Sequence, residues 1–263
     1  MPEGDTAHRT ARRLHELLAG EVLTTFDLRV PRAATADLAG RRVDSVRAVG
    51  KHILHRIGDL TLHTHLKMEG EWHAYRSGER WRRPAFQARA VLSSAEWQTV
   101  GFDLGVVELL RDESGAIGHL GPDPLGPDWN PDEAVRRLER DPRPAHTALL
   151  DQRNVAGFGN EYANELLFLR GMDPVAPLRD VPELVQLGAR AIRSNLSRPV
   201  RTFTGDGRRG RDHWVYGRTG LPCRRCGTLI RETSLGAEPG RERRVFWCPA
   251  CQATPPSTGR GRT

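Results

Sequence analysis

Cys223-Arg224-Arg225-Cys226 and, after twenty-one further residues, Cys248-Pro249-Ala250-Cys251 set the chemistry of the C-terminal end of this chain. Two Cys-x2-Cys knuckles at that separation supply four soft ligands for a tetrahedral metal, the donor set of structural zinc. Four thiolates leave no open coordination position, so the expected cofactor is one structural Zn2+ on Cys223, Cys226, Cys248 and Cys251. Two disulfides are the alternative, which a reducing compartment disfavours. Pro222-Cys223-x2-Cys226 also matches half of the zinc-deaminase signature. The other half, His-x-Glu, occurs nowhere in the chain, which argues against a metal-activated water. Val245, Phe246 and Trp247 read as a strand entering the second knuckle.

Arginines interleave with these cysteines. Residues 190–263 carry 16 Arg against 5 acidic residues, a formal +11, while residues 1–189 carry 24 basic and 28 acidic residues, a formal −4. A positive end of this kind suits a polyanion such as nucleic acid. Of 40 basic residues only Lys51 and Lys67 are lysines. Arginine serves phosphate better through its planar fork, whereas a lysine can give up a proton, so these two positions mark places where an ammonium has a use. Hydrophobic content of 38% over 263 residues allows a packed core and more than one domain. No apolar run is long enough to span a bilayer, and the N-terminus lacks the pattern of a signal peptide. The expectation is a soluble, cytoplasmic chain with no membrane partner.

Thr6–Leu18 reads as a helix, with Ala7, Ala11, Leu14 and Leu18 at helical spacing and Gly20 as its stop. Glu21–Val30 alternates as a strand with Val22, Thr24, Phe26, Leu28 and Val30 on one side. Strand-like runs follow at Val43–Val49, His52–Ile57, Leu60–Leu66, Trp72–Arg76, Gln87–Leu92 and Trp97–Leu110, a density that suggests a sandwich or barrel. His63 and His65 read as ordinary strand positions, and His8 and His15 as structural. Gly- and Pro-rich residues 114–131 form a connector. Helical patterns then cover Asp132–Arg140, Ala145–Gln152, Asn160–Arg170 and Pro182–Leu196, with a glycine turn at Asn154–Gly159 between the middle two. Gly205–Arg211 reads as a loop.

Two short segments carry further chemistry. Proline at position 2 permits removal of Met1, which would expose a secondary amine beside Glu3. An α-amino group titrates at about 7.7–8.0 and is partly unprotonated at neutral pH. Its attack on an aldehydic carbon gives an iminium ion, an electron sink that weakens neighbouring bonds, and Glu3 can move protons beside it. Met-Pro openings are common and alone carry no such meaning. In Gly157-Phe158-Gly159-Asn160, glycines entering a helix let the backbone approach a phosphate, and Asn160 can cap the helix and add a donor.

Taken in order, Met1-Pro2-Glu3-Gly4, Gly50-Lys51, His65-Leu66-Lys67-Met68-Glu69-Gly70, Leu120-Gly121-Pro122-Asp123-Pro124-Leu125, Gly157-Phe158-Gly159-Asn160 and Val215-Tyr216-Gly217-Arg218 span nearly the whole chain. This ordered set resembles the formamidopyrimidine-DNA glycosylase and endonuclease VIII family. The resemblance implies an α+β multidomain fold. An N-terminal β-sandwich with a leading helix (1–113) is followed by a connector (114–131), a helix–two-turn–helix domain (132–214), a four-cysteine zinc finger (215–254) and a basic disordered tail (255–263). It implies a bifunctional DNA glycosylase and AP lyase of base excision repair, working on damaged DNA as a monomer. It implies Pro2 as Schiff-base nucleophile, Glu3 as proton donor, Lys51 in β-elimination, Asn160 on phosphate, and Arg243 as the finger-tip arginine aiding δ-elimination. Met68 takes the place of a void-filling wedge, with Lys67 beside it toward backbone or opposite base.

Two departures stand out. Position 6 is Thr6, where the family usually has glutamate. Gly101–Glu108 lacks the arginine-and-phenylalanine insertion loop of formamidopyrimidine enzymes, which favours the endonuclease VIII branch and oxidised pyrimidines. The rival readings are a non-enzymatic DNA-damage binder on the same scaffold, kept open by Thr6, and a zinc-ribbon RNA-binding factor, which leaves Pro2-Glu3 unexplained.

Overall fold

A glycine at position 4 lets the N-terminal segment pack directly against distant backbone. The Gly4 amide donates to the Gly157 carbonyl at 2.9 Å, and a Cβ there would lie 2.8 Å from the Gly157 Cα. The computed structural model describes residues 2–236 and 242–253. Helix α1 (Gly4–Leu18) buries Ala7, Ala11, Leu14 and Leu18 along one face, as their helical spacing requires.

Eight strands follow: β1 (Thr25–Leu28), β2 (Ser45–Val49), β3 (His52–Ile57), β4 (Leu60–His65), β5 (Glu71–Arg76), β6 (Ala88–Ser93), β7 (Trp97–Phe102) and β8 (Val106–Leu110). They form two four-stranded sheets of order β1-β6-β7-β5 and β2-β3-β4-β8, with every pairing antiparallel. Phe26, Leu28 and Leu92 from the first sheet share one core with Val46, Ile53, Leu62 and Val107 from the second and with the apolar face of α1. Each such side chain taken from water contributes about 1.5–3 kcal/mol.

The expected strand over residues 21–30 shrinks to β1, and Val22 is exposed rather than inward. Leu23 bonds to Arg41, whereas Thr24 bonds to Ser93, so the chain changes partners between adjacent residues and the alternation breaks there. The run over residues 97–110 likewise splits. After β7 a three-residue turn, Asp103-Leu104-Gly105, carries the chain from one sheet to the other. Helix α1 also starts two residues before the expected Thr6.

Short α2 (Ser114–Ile117) lies in the connector, and α3 (Pro131–Glu139), α4 (Ala145–Leu150), α5 (Asn160–Leu169) and α6 (Val181–Leu196) follow. The second core contains Leu138, Leu149, Phe158, Tyr162, Leu166, Leu184 and Ile192. Asn160 does not cap α5 as expected: the cap position is Gly159, and Asn160 is the first helical residue. The buried Glu165 carboxyl accepts the amides of Trp214, Val215 and Tyr216 at 2.8, 2.9 and 2.8 Å, which fastens the approach to the cysteine module onto α5. That module holds a hairpin of β9 (Arg231–Leu235) and β10 (Arg243–Trp247). Asn164 accepts the Phe246 amide at 2.6 Å and joins β10 to the same helix. The expected tail at 255–263 lies outside the described residues. Among the described residues no helix is long and apolar enough to cross a membrane.

Gly4→Ala should cost about 1–3 kcal/mol, the range for a forced contact in a packed interior, because the neighbour it meets is backbone. An unchanged thermal melt would show that the seam between α1 and residues 157–159 yields freely.

Candidate active site

Glu3 precedes α1, yet its side chain serves another helix. Its two carboxyl oxygens accept the Gly159 amide at 2.7 Å and the Glu161 amide at 2.8 Å. These are orphan donors at the start of α5, where the helix dipole also favours an acidic group. Any side chain at Gly159 would displace this carboxyl, since a Cβ would fall 2.5 Å from the Glu3 Cδ. Burial holds the Glu3 carboxyl above its usual range against the pull of Arg201 and Lys51, with the nearby Glu161 charge adding to the rise.

Lys51 reaches the same seam, and its Nζ donates to the Phe158 carbonyl at 2.5 Å. Burial lowers its pKa to about 8, partly offset by Glu3. The turn that carries it is held from the connector. Asp123 accepts the Gly50 amide at 2.7 Å and meets His8 Nε2 at 2.8 Å. Gly50 has φ +57°, a conformation that favours glycine.

Pro2 lines a cavity of about 650 Å³. Glu69, Glu71 and His73 stand on one wall, and Glu161, Arg201 and His213 on the other. His213 Nε2 meets Glu161 at 3.2 Å and its Nδ1 meets Asp212 at 3.3 Å, so each ring nitrogen faces a carboxylate. Burial opposes the charged imidazole, but these acids raise its pKa. Burial alone would raise Glu161 too, yet the His213 hydrogen bond and the Arg201 charge bring it to about 2. Two neighbouring carboxyls are thus pushed apart, Glu3 toward the acid and Glu161 toward the anion, the pattern by which one site separates proton donor from charge.

Sequence reasoning missed Asp5, Glu161, Arg201 and His213. Asp5, after Gly4, and Glu161, after Asn160, adjoin segments singled out for chemistry, whereas Arg201 belongs to none of them. At position 6 the Thr6 hydroxyl accepts from Arg201 at 3.0 Å, and Asp5 supplies a buried carboxylate one residue earlier.

Of the remaining expected residues only Met68, which is 61% exposed, lines this cavity among the described residues. Met68 also lines a second cavity of about 290 Å³ with Asn160, Tyr216, Arg243 and Arg244. Asn160 is buried, donates to the Arg244 carbonyl at 3.0 Å and meets His146 at 2.8 Å, so its amide joins α5 to β10. Lys67 takes φ +55°, and its stem lies where a Cβ on Gly105 would be, 2.1 Å from its Cγ. The ligand atoms of Cys223, Cys226, Cys248 and Cys251 all lie within 4.8 Å of one another. The pairs Cys223–Cys251 and Cys226–Cys248 are 4.0 and 3.4 Å apart. A tetrahedral zinc with bonds of about 2.3 Å needs sulfurs about 3.8 Å apart, so the four thiols fit a metal ion.

Comparison with known proteins agrees with this layout. Residues 1–103 match the formamidopyrimidine-DNA glycosylase N-terminal domain, and residues 120–203 match the H2TH domain of the same enzymes. The chain belongs to the formamidopyrimidine-DNA glycosylase and endonuclease VIII family. It is 50% identical to the probable endonuclease 8 2 of Streptomyces coelicolor, covering 100% of this chain and 98% of the relative. It is 49% identical to the DNA-(apurinic or apyrimidinic site) lyase Nei2 of Mycolicibacterium smegmatis, over 96% and 99%. The formamidopyrimidine-DNA glycosylase of Streptococcus pneumoniae stands further off at 28%, over 96% and 99%, so the chain lies on the endonuclease VIII side of the family. Its fold matches wild-type Lactococcus lactis Fpg (MutM) in complex with N7-benzyl-Fapy-dG containing DNA, with TM-score 0.78 and 22% identity over 96% of this chain and 100% of that one.

Within this family frame, Lys51 carries a stability cost that depends on pH. Its native pKa of about 8 lies below the unfolded value, so below pH 8 the native state holds a proton that burial makes costly. As pH rises from about 8 to about 10.4 the native lysine is neutral while the unfolded one is still charged, and stability rises. Lys51→Met should therefore raise the melting temperature at pH 7, with the gain shrinking between about pH 8 and pH 10. A gain that does not vary with pH would contradict a lysine stored at a cost.

Proposed function

We propose that this chain is a bifunctional DNA glycosylase and abasic-site lyase that uses the amine of Pro2, exposed by loss of Met1, as nucleophile. The observation that carries the reading is the seat of Glu3. A carboxyl next to Pro2 is fixed on the α5 amides and biased toward its protonated form, beside a cavity with room for an everted nucleotide. The sugar carbon C1′ is shielded inside a stacked duplex, so the nucleotide must leave the stack to react.

The unprotonated Pro2 nitrogen forms a bond to C1′. The glycosidic bond breaks with its electron pair on the base, and Glu3 supplies the proton that neutralises it. The nitrogen then loses its proton to the Glu3 carboxylate. The C1′–O4′ bond opens with its electron pair on O4′, which takes that proton, and the nitrogen lone pair closes the iminium. The iminium acidifies the C2′–H bond. Removal of the C2′ proton, with expulsion of the 3′ phosphate, nicks the strand. Lys51, with its lowered pKa, is suited to that second step. Arg243, Asn160 and Met68 border one cavity, which supports their engaging the DNA flanking the lesion. Relatives named endonuclease 8 and the short turn after β7, which leaves no room for an insertion loop, support oxidised pyrimidines as substrates.

The cysteine module would hold one structural zinc, which supplies folding energy through four thiolates and leaves no open position for chemistry. Cys226→Ser should lose bound zinc, one equivalent in the wild type, together with most DNA affinity. Full affinity without metal would contradict the structural role.

The catalytic reading is tested by borohydride reduction of the Met-processed protein on duplexes carrying an oxidised pyrimidine or an abasic site, with intact-mass analysis. The expected product is a covalent adduct on the N-terminal peptide. Pro2→Gly, which keeps only a primary amine, should lose most of the adduct on the oxidised pyrimidine, where the base must be excised, and retain some on the abasic site. Folded, processed protein that forms no adduct would overturn it.

A further inference from the structure

Arg201 lines the same cavity as Pro2. Its Nε donates to Asp5 Oδ2 at 2.8 Å and its Nη2 to Asp5 Oδ1 at 2.5 Å, a two-point grip that only a planar guanidinium makes. Nη2 also donates to the Thr6 hydroxyl at 3.0 Å, and Nη1 pairs with Glu161 at 2.8 Å. The guanidinium lies 5.5 Å from the Tyr162 ring centroid, and the Tyr162 hydroxyl donates to Asp5 at 3.2 Å. Its side chain is 11% exposed, against 1% for Asp5 and 9% for Glu161, so these charges interact with little screening. One residue therefore ties the first turn of α1, which begins just after Pro2 and Glu3, to the first turn of α5, whose amides seat Glu3.

We infer that Arg201 is a positioning residue for the Pro2 amine. By joining the two helix starts it fixes where the terminal nitrogen lies, and its charge offsets the carboxylates that would otherwise keep that nitrogen protonated. This rests on the catalytic reading of Pro2 above. The charged groups around that nitrogen are mixed. Asp5 and Glu3 stand on its own segment, and Lys51 comes from the turn before β3. Glu69, Glu71 and His73 stand on one wall, and Glu161, Asp212 and His213 join Arg201 on the other. His213 is itself bracketed by Glu161 and Asp212, and Arg201 also pairs with Glu161, so Asp5 is the member whose charge can be changed without touching the Glu161–His213 pair. The inference accounts for Thr6 as well: the carboxylate facing this wall sits at position 5, and the position 6 hydroxyl completes the grip.

The test measures the rate of borohydride trapping on a preformed abasic site between about pH 5.5 and pH 9, a range that brackets the α-amino group, using the full, Met-processed chain. Binding to a tetrahydrofuran-containing duplex and melting temperature are followed in parallel. Arg201→Gln removes a positive charge and should move the acid limb of the profile up by about one pH unit, slowing trapping at pH 6 about tenfold. Asp5→Asn removes a negative charge and should move the limb the opposite way. Arg201→Lys keeps the charge but loses the fork; it should leave the limb in place and lower the plateau. Loss of packing alone would not shift the two limbs in opposite directions. Limbs that stay put, or that move together, in folded protein overturn the inference. Should Arg201→Gln fail to fold, Asp5→Asn and Arg201→Lys decide it by the same criteria. A wild type that never traps sinks the catalytic reading instead, whereas a wild type that traps beside unmoved limbs sinks only the role of Arg201.

Discussion

The carboxyl of Glu3, just ahead of α1, sits on the open amides of a helix more than 150 residues away, and the rest of the site is arranged around that contact. Helix starts leave amides unpaired, and an acidic group is the natural partner. Here the partner comes from a different part of the chain, so completing α5 also docks the N-terminus. Gly4 and Gly159 exist to permit it: the first meets backbone at Gly157, and the second faces the Glu3 carboxyl with no space for a methyl group. The cleft wall that bears Pro2 and the helix that bears Asn160 are therefore one mechanical unit.

Electrostatics then divides the labour. Burial raises Glu3 and lowers Lys51, so each moves toward its neutral form, whereas Glu161 stays an anion between His213 and Arg201. An acid pushed toward its neutral form and an amine with a lowered pKa, both on the seam behind Pro2, suit proton transfer. Such an arrangement costs stability, which active sites commonly sacrifice. The surrounding structure supplies the compensation through two apolar cores and through Glu165, whose three amide partners weld α5 to the cysteine module.

Local chemistry was legible in the sequence. The cysteine knuckles declare themselves because metal ligands recur at short spacing, and α1, α3 and α6 declare themselves through apolar periodicity. Pro2 and Glu3 were visible only through the order of motifs along the chain. What could not be read was the pairing of distant segments. Asp5 and Arg201 are 196 residues apart and belong to no local pattern. The same limit explains the misplaced cap. Asn160 has the right side chain for that position, but Glu3 already occupies the amides, and Asn160 turns to β10 instead. It explains Val22 as well, since a change of hydrogen-bonding partner in mid-strand leaves no trace in hydrophobic alternation.

The most direct measurement is a crystal structure of the Met-processed protein reduced by borohydride onto abasic-site DNA. The account predicts continuous density from the Pro2 nitrogen to C1′, with Glu3 still on the amides of Gly159 and Glu161. Density joining the sugar to Lys51, or a terminus lying outside the cavity, would contradict it.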